Sequence, residues 1–176
     1  MATTKSPMTE AQMRAVSEAM FRAWNDHDIE AILAHLADDV VWSEPSLDEP
    51  ARGKPAVAAD LKDTFTTFPD LQLPEEGYQI FPSADLGASV ATWTLTATMT
   101  GFSKAAGVPA TGNSVRNSGT VLTRFREGLI SEYTPYYDML DFMQQLGLLP
   151  QSNGLGFKAV VMADVFAGKA LKALHR

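Results

Sequence analysis

A chain of 176 residues, 45% hydrophobic and 20% charged, is long enough to bury one sizeable core, and no internal repeat divides it. Its formal net charge of -7 argues against nucleic acid or an anionic membrane as the main partner and leaves neutral or weakly polar ligands. The lack of cysteine excludes disulfides, thiolate nucleophiles and cysteine metal sites. The opening MATTKSPMTE has no apolar signal-peptide run and no later stretch is long and apolar enough to span a bilayer, so a soluble cytoplasmic protein without membrane attachment is expected.

Thr9 with Gln12 forms a capping-box pattern, after which Met13, Val16, Met20, Phe21 and Trp24 predict a helix that ends near NDHD. A second, short helix follows Asp28. DDVVWSEP reads as a short strand closed by Pro45, and SLDEPARG as a loop. A third helix is predicted from Lys54 to about Phe68, with Pro55 suited to its first turn and Pro69 at its end. The pattern then changes to four strands: LQLPEEGYQIF, ASVATWTLTATMTG, NSVRNSGTVLTRFR and LISEYTPYY, which imply an antiparallel meander. PSADLG and REG fit hairpin turns. FSKAAGVPATG is longer and glycine-rich, suited to overhang a cavity. Met139, Leu140, Phe142, Met143 and Leu146 recur at helical spacing, and a last helix is predicted in LGFKAVVMADVFAGKALKALHR. That tail leaves a broad apolar side, with Val160, Val161, Phe166 and Leu171, for its own domain or a second subunit to cover. Helices first and sheet after is an α+β signature.

Two carboxylates stand out. Strand alternation puts Ile130, Glu132, Thr134, Tyr136 and Asp138 on one face, unless Pro135 introduces a bulge. If that face is concave, Asp138 and Glu132 enter an apolar cavity, where desolvation raises a carboxyl pKa towards the range of acid/base work. Asp138 is also placed to cap the helix that starts at Met139, and one side chain can do both. Val40, Trp42 and Glu44 share a parity, so with Trp42 in the core Glu44 looks into its mouth, the alternative being a solvated glutamate at a loop edge. Arg116 and Asn117 lie mid-strand on opposite faces; one of them faces inward, to bind a ligand carbonyl or to pair with a buried acid. His27, His35 and His175 show no metal-ligand spacing. GLGFKA lacks the strand and βαβ unit that a dinucleotide site needs, and no phosphate loop or nucleophile elbow is present. No cofactor and no metal are expected.

GKPAVAADLKDTFTTFPDLQL, GVPATG, FREGLISEY and YDMLDFMQQLG together resemble the SnoaL-like polyketide cyclase (ester cyclase) family of the nuclear-transport-factor-2-like superfamily, over roughly Met13 to Pro150. The resemblance implies a cone: a curved antiparallel sheet wrapped around the N-terminal helices, enclosing a deep apolar cavity, usually in a homodimer. It implies cofactor-free aldol ring closure, with Asp138 at the position of the acid/base aspartate. Met99, in ATMTG, replaces a histidine of many members that can accompany that aspartate. LADDVVWSEPSLDEPARG is similar to ketosteroid isomerases, in which the acid before the proline is the base; Glu44 matches it, while Met20 or Phe21 stands where those enzymes carry a tyrosine. The expected organisation is a flexible N-terminus over 1–8, a cone domain over 9–150 and a helical extension over 151–176. The expected function is a lyase or isomerase acting on a small hydrophobic carbonyl compound. Asp138 and Glu44 are the candidate acids and bases, and Trp42, Asn117, Tyr136, Glu132, Met99, Met20 and Phe21 the candidate ligand contacts. A non-catalytic binding protein and a limonene-epoxide-hydrolase-like enzyme are the alternatives, the latter needing an Asp-Arg-Asp set that the chain does not supply convincingly.

Overall fold

The computed structural model describes residues 8–104, 106–152, 154–156, 158–159 and 162–163. The tail helix expected across 155–176, with Val160, Val161, Phe166 and Leu171, falls largely outside the described residues, as do residues 1–7 of the N-terminus.

Helix α1 (Glu10–Asn25) starts from the capping box: the Gln12 amide donates to Thr9 Oγ1 at 3.2 Å and the Thr9 amide to Gln12 Oε1 at 2.9 Å. Asp28 caps α2 (Ile29–Ala34) by accepting from the Ala31 amide at 2.9 Å. Strand β1 (Leu36–Trp42) leads through a two-residue strand β2 (Ala51–Arg52) to α3 (Lys54–Thr67), which has a proline in its first turn. Strands β3 (Gln79–Ser83), β4 (Ala88–Thr98), β5 (Ser114–Arg126) and β6 (Leu129–Tyr137) follow, then α4 (Met139–Gln145).

The strands form one curved, unclosed sheet in the order β2-β1-β6-β5-β4-β3. The expected meander is present from β3 to β6, all antiparallel. The β5–β6 hairpin turns on Glu127 and Gly128, both at positive φ, which matches the right-handed twist of the strands. One pairing departs from an all-antiparallel sheet: β1 runs parallel to β6. A short hairpin forces antiparallel neighbours; β1 and β6 are separated by residues 43–128 and carry no such constraint. The stretch LQLPEEGYQIF also divides, because Pro74 cannot continue a ladder. Gln72 makes one bridge to Thr96, a single 3-10 turn covers Glu75–Gly77, and the strand proper begins at Gln79.

Helix α1 packs on β3 and β4, and α3 on β1 and β2, so the helices sit inside the sheet's curve. Ile32, Leu36, Val40, Trp42, Val57 and Leu61 are wholly buried between these layers. Among the described residues no helix is long and apolar enough to cross a membrane.

Candidate active site

The sheet's inner face and the helices enclose a cavity of about 180 Å³. Its wall is largely apolar and carries several aromatic rings, among them Phe21 and Trp24 from α1, Trp93 from β4, Tyr133 and Tyr137 from β6, and Phe142 from α4. Gly119 makes part of that wall possible. It pairs with Trp93 on one side and Tyr137 on the other, whose rings meet edge to face at 5.7 Å across it. A Cβ at Gly119 would fall 2.6 Å from Trp93 Cζ2 and 2.4 Å from the Tyr136 carbonyl oxygen. The glycine-rich loop does reach over the cavity, lending Ser103 and Ala106 to its lining. The loop is held by reciprocal Ser103 and Val108 backbone bonds and by the Lys104 amide on Asp63 at 3.0 Å.

Two carboxyls share this apolar setting, close enough for the charge of one to act on the other. Glu44 follows β1, and Asp60 stands on α3; both line the cavity. The indole N–H of Trp42 acts on both carboxyls, lowering their pKa values, yet has no well-formed hydrogen bond among the described residues. Desolvation and then the negative charge of Asp60 push Glu44 up from its ordinary 4.5 to about 8, so it holds its proton at neutral pH. Asp60 is raised too, by desolvation first, with the Trp42 N–H opposing and Asp63 adding. Because Asp60 acts on Glu44 as a charge, it is the first of the two to ionise. Burial, with Glu44 next, keeps the Tyr133 and Tyr137 hydroxyls well above the usual phenol range, and Ser46 opposes only at Tyr137. Both tyrosines are therefore permanent hydrogen-bond donors beside the acid pair.

The structure sorts the residues expected from the sequence. Glu44, Phe21, Met99 and Asn117 line the cavity. Trp42 is wholly buried one layer behind, its ring stacked on Tyr133 at 4.0 Å. Met20 is buried in the small neighbouring space under α1 rather than in the cavity. Asn117 donates its Nδ2 to the Asp138 carbonyl oxygen at 3.0 Å. Arg116, its neighbour, is exposed.

Asp138, Glu132 and Tyr136 require a correction, because all three face outward. Asp138 is an exposed N-cap whose carboxylate accepts from the Asp141 amide at 2.9 Å, and Glu132 pairs with Arg124 at 3.3 Å. Tyr136 is 58% exposed. The cause is a bulge at Ser131: Arg124 pairs with Glu132 and Phe125 with Ile130, leaving Ser131 as the extra residue. Ile130 points inward, and after the bulge Tyr133, Pro135 and Tyr137 do, so the alternation counted from Ile130 is inverted.

Asp60 and Asp63 were not singled out in the sequence. They carried a signal all the same: Asp60, Asp63, Thr64 and Thr67 recur at i, i+3, i+4 and i+7, a polar stripe beside the apolar stripe of Val57 and Leu61. No group of three or more His, Asp or Glu among the described residues could hold a metal ion.

The model of the SnoaL-like polyketide cyclase family matches residues 14–146. The chain belongs to this family. Among solved structures, AclR from Streptomyces galilaeus, assigned as a hydroxylase, is 26% identical, with 96% of this chain and 99% of that one aligned at a TM-score of 0.68. A protein from Xanthomonas campestris assigned as a polyketide cyclase is 20% identical over 78% of this chain and 98% of its own, at a TM-score of 0.69. An NTF2-like protein of unknown function from Burkholderia pseudomallei is 19% identical over 79% and 98%, at 0.63. The last two establish the SnoaL-like cone as the fold. No curated protein sequence matches the chain.

Proposed function

We propose that this SnoaL-like protein is a cofactor-independent acid/base catalyst acting on a small hydrophobic carbonyl compound, by aldol-type ring closure of a polyketide-like substrate. The observation that carries the reading is the pair of carboxyls, Glu44 and Asp60, around one indole N–H on the wall of an apolar cavity. A pair whose environments push the two pKa values apart supplies an acid and a base at the same pH. Asp60, ionising first, takes a proton from the carbon alpha to one carbonyl. The resulting enolate carbon attacks a second carbonyl of the substrate; a carbon–carbon bond forms, and the electron pair of the C=O bond goes to its oxygen. That alkoxide takes the proton of Glu44, and transfer of a proton from Asp60 to Glu44 restores the starting state. The Tyr133 and Tyr137 hydroxyls, held neutral beside Glu44, are suited to stabilise the developing oxyanion. The position of Glu44 immediately before Pro45 favours a second reading with the same groups, in which the proton is returned to a different carbon and the reaction is an isomerisation.

Hydrogen–deuterium exchange at the alpha carbon of 2-tetralone in D₂O, followed by proton NMR, tests the proton-transfer step without the natural substrate. The parent should accelerate exchange, Glu44→Gln and Asp60→Asn should each lower the acceleration by about 10²-fold or more, and Asp138→Asn should leave it unchanged. Parental exchange in Glu44→Gln, or its loss in Asp138→Asn, would sink the assignment.

A further inference from the structure

We propose that Asn117 is a specificity-determining residue of the cavity, presenting its Oδ1 as an acceptor to a hydroxyl or N–H group of the bound molecule. The inference rests on the cavity being a ligand site and adds which polar group the ligand carries at the α4 end. Asn117 is only 5% exposed, stands on the inner face of β5 and lines the cavity. It lies one inward position beyond the Gly119–Tyr137 pair, where β6 gives way to α4.

A carboxamide offers two N–H donors on one side and an acceptor oxygen on the other, and its partners decide which way it points. Here the Nδ2 donates to the carbonyl oxygen of Asp138 at 3.0 Å. Reversing the amide would set two acceptor oxygens against each other, so the orientation is fixed. The Oδ1 accepts no hydrogen bond from any described residue, yet it is not sealed off as the Trp24 and Trp42 indole nitrogens are. Since the side chain faces inward, the space left open to that oxygen is the cavity. A buried acceptor with no donor is unfavourable, and a ligand that supplies the donor gains what an otherwise identical ligand forfeits.

The neighbouring chemistry makes this end distinct from the other. Glu44, Tyr133 and Tyr137 present donors, which suit a carbonyl oxygen, whereas Asn117 presents an acceptor. A ligand that satisfies both ends carries a carbonyl at one and a hydroxyl or N–H at the other: a hydroxylated carbonyl compound rather than a plain ketone. Asp138 enters only through its backbone oxygen, which orients Asn117.

Calorimetric titration of the parent with 2-naphthol and with 2-methoxynaphthalene, which keeps the oxygen and loses the donor, tests this. The expected result is a preference of about tenfold for 2-naphthol, reduced to within about twofold in Asn117→Leu through weaker binding of the naphthol alone. Equal affinities in the parent, or a preference that survives in Asn117→Leu, overturns the proposal. Should Asn117→Leu not fold, a crystal structure of the parent with 2-naphthol decides: the hydroxyl within hydrogen-bond distance of Asn117 Oδ1 supports it, and the hydroxyl on Asp60 or Asp63 overturns it. If neither naphthalene binds, the ligand reading and this proposal fall together. If the preference is present while 2-tetralone exchange is absent, only the acid/base reading falls.

Discussion

Glu44 and Asp138 are both acids at the end of a strand, and their environments separate them. Glu44 has an aromatic wall and a second carboxyl around it, while Asp138 has solvent and the Asp141 amide. Since the folded-state pKa of Glu44 is raised above the unfolded one, its protonation stabilises the fold fully below about 4.5, and that contribution is lost as pH rises through about 8. Parent stability in urea should therefore fall between those pH values relative to Glu44→Gln, whose amide does not titrate; parallel profiles would contradict a buried acid. For Asp138 the expectation is different. Asp138→Ala should cost about 1 kcal/mol in the same assay, while Asp138→Asn, an equally good cap, should cost little. The parity of Trp42 and Glu44 was legible in the sequence because the irregularity in the pairing of β1 with β6 lies between Leu36 and Val41, before Trp42. The facing of Asp138 was not, because a one-residue bulge at Ser131 leaves the local pattern of β-branched and aromatic residues intact while inverting the faces beyond it.

At the scale of elements, the cavity depends on small residues where strands bring large ones together. Gly119 lets Trp93 and Tyr137 meet across β5, and Gly119→Ala should destabilise the protein by about 1–3 kcal/mol, since the new Cβ meets backbone as well as ring. Denaturant midpoints measure it, and a neutral result would mean the two rings do not lie over the glycine. Helix limits were legible from Thr9, Asp28 and Pro55, residues that act locally. The acidic stripe of α3 was hidden for a physical reason: Asp60 and Asp63 at helical spacing look like a solvated face until the sheet's curvature turns that face inward. The parallel neighbour of β6 was hidden as well, because pairing between distant segments leaves no mark in either one.

At the scale of the whole molecule, the sheet's outer face stays uncovered by the described helices. Phe81 and Val90, paired across β3 and β4, are 55% and 40% exposed there. A second copy of the chain is expected to cover this face, and Phe81→Glu should shift sedimentation from dimer to monomer; a monomeric parent at micromolar concentration would refute it. The acid/base reading proposed for the sheet's inner side comes down to whether the aromatic cavity holds a protonated glutamate beside an ionised aspartate. A ¹³C NMR titration of the side-chain carboxyls measures this most directly. The account predicts a Glu44 midpoint of about 8, moved lower in Asp60→Asn because the neighbouring charge is gone. A Glu44 carboxyl that titrates near its ordinary 4.5, unaffected by Asp60→Asn, would contradict it.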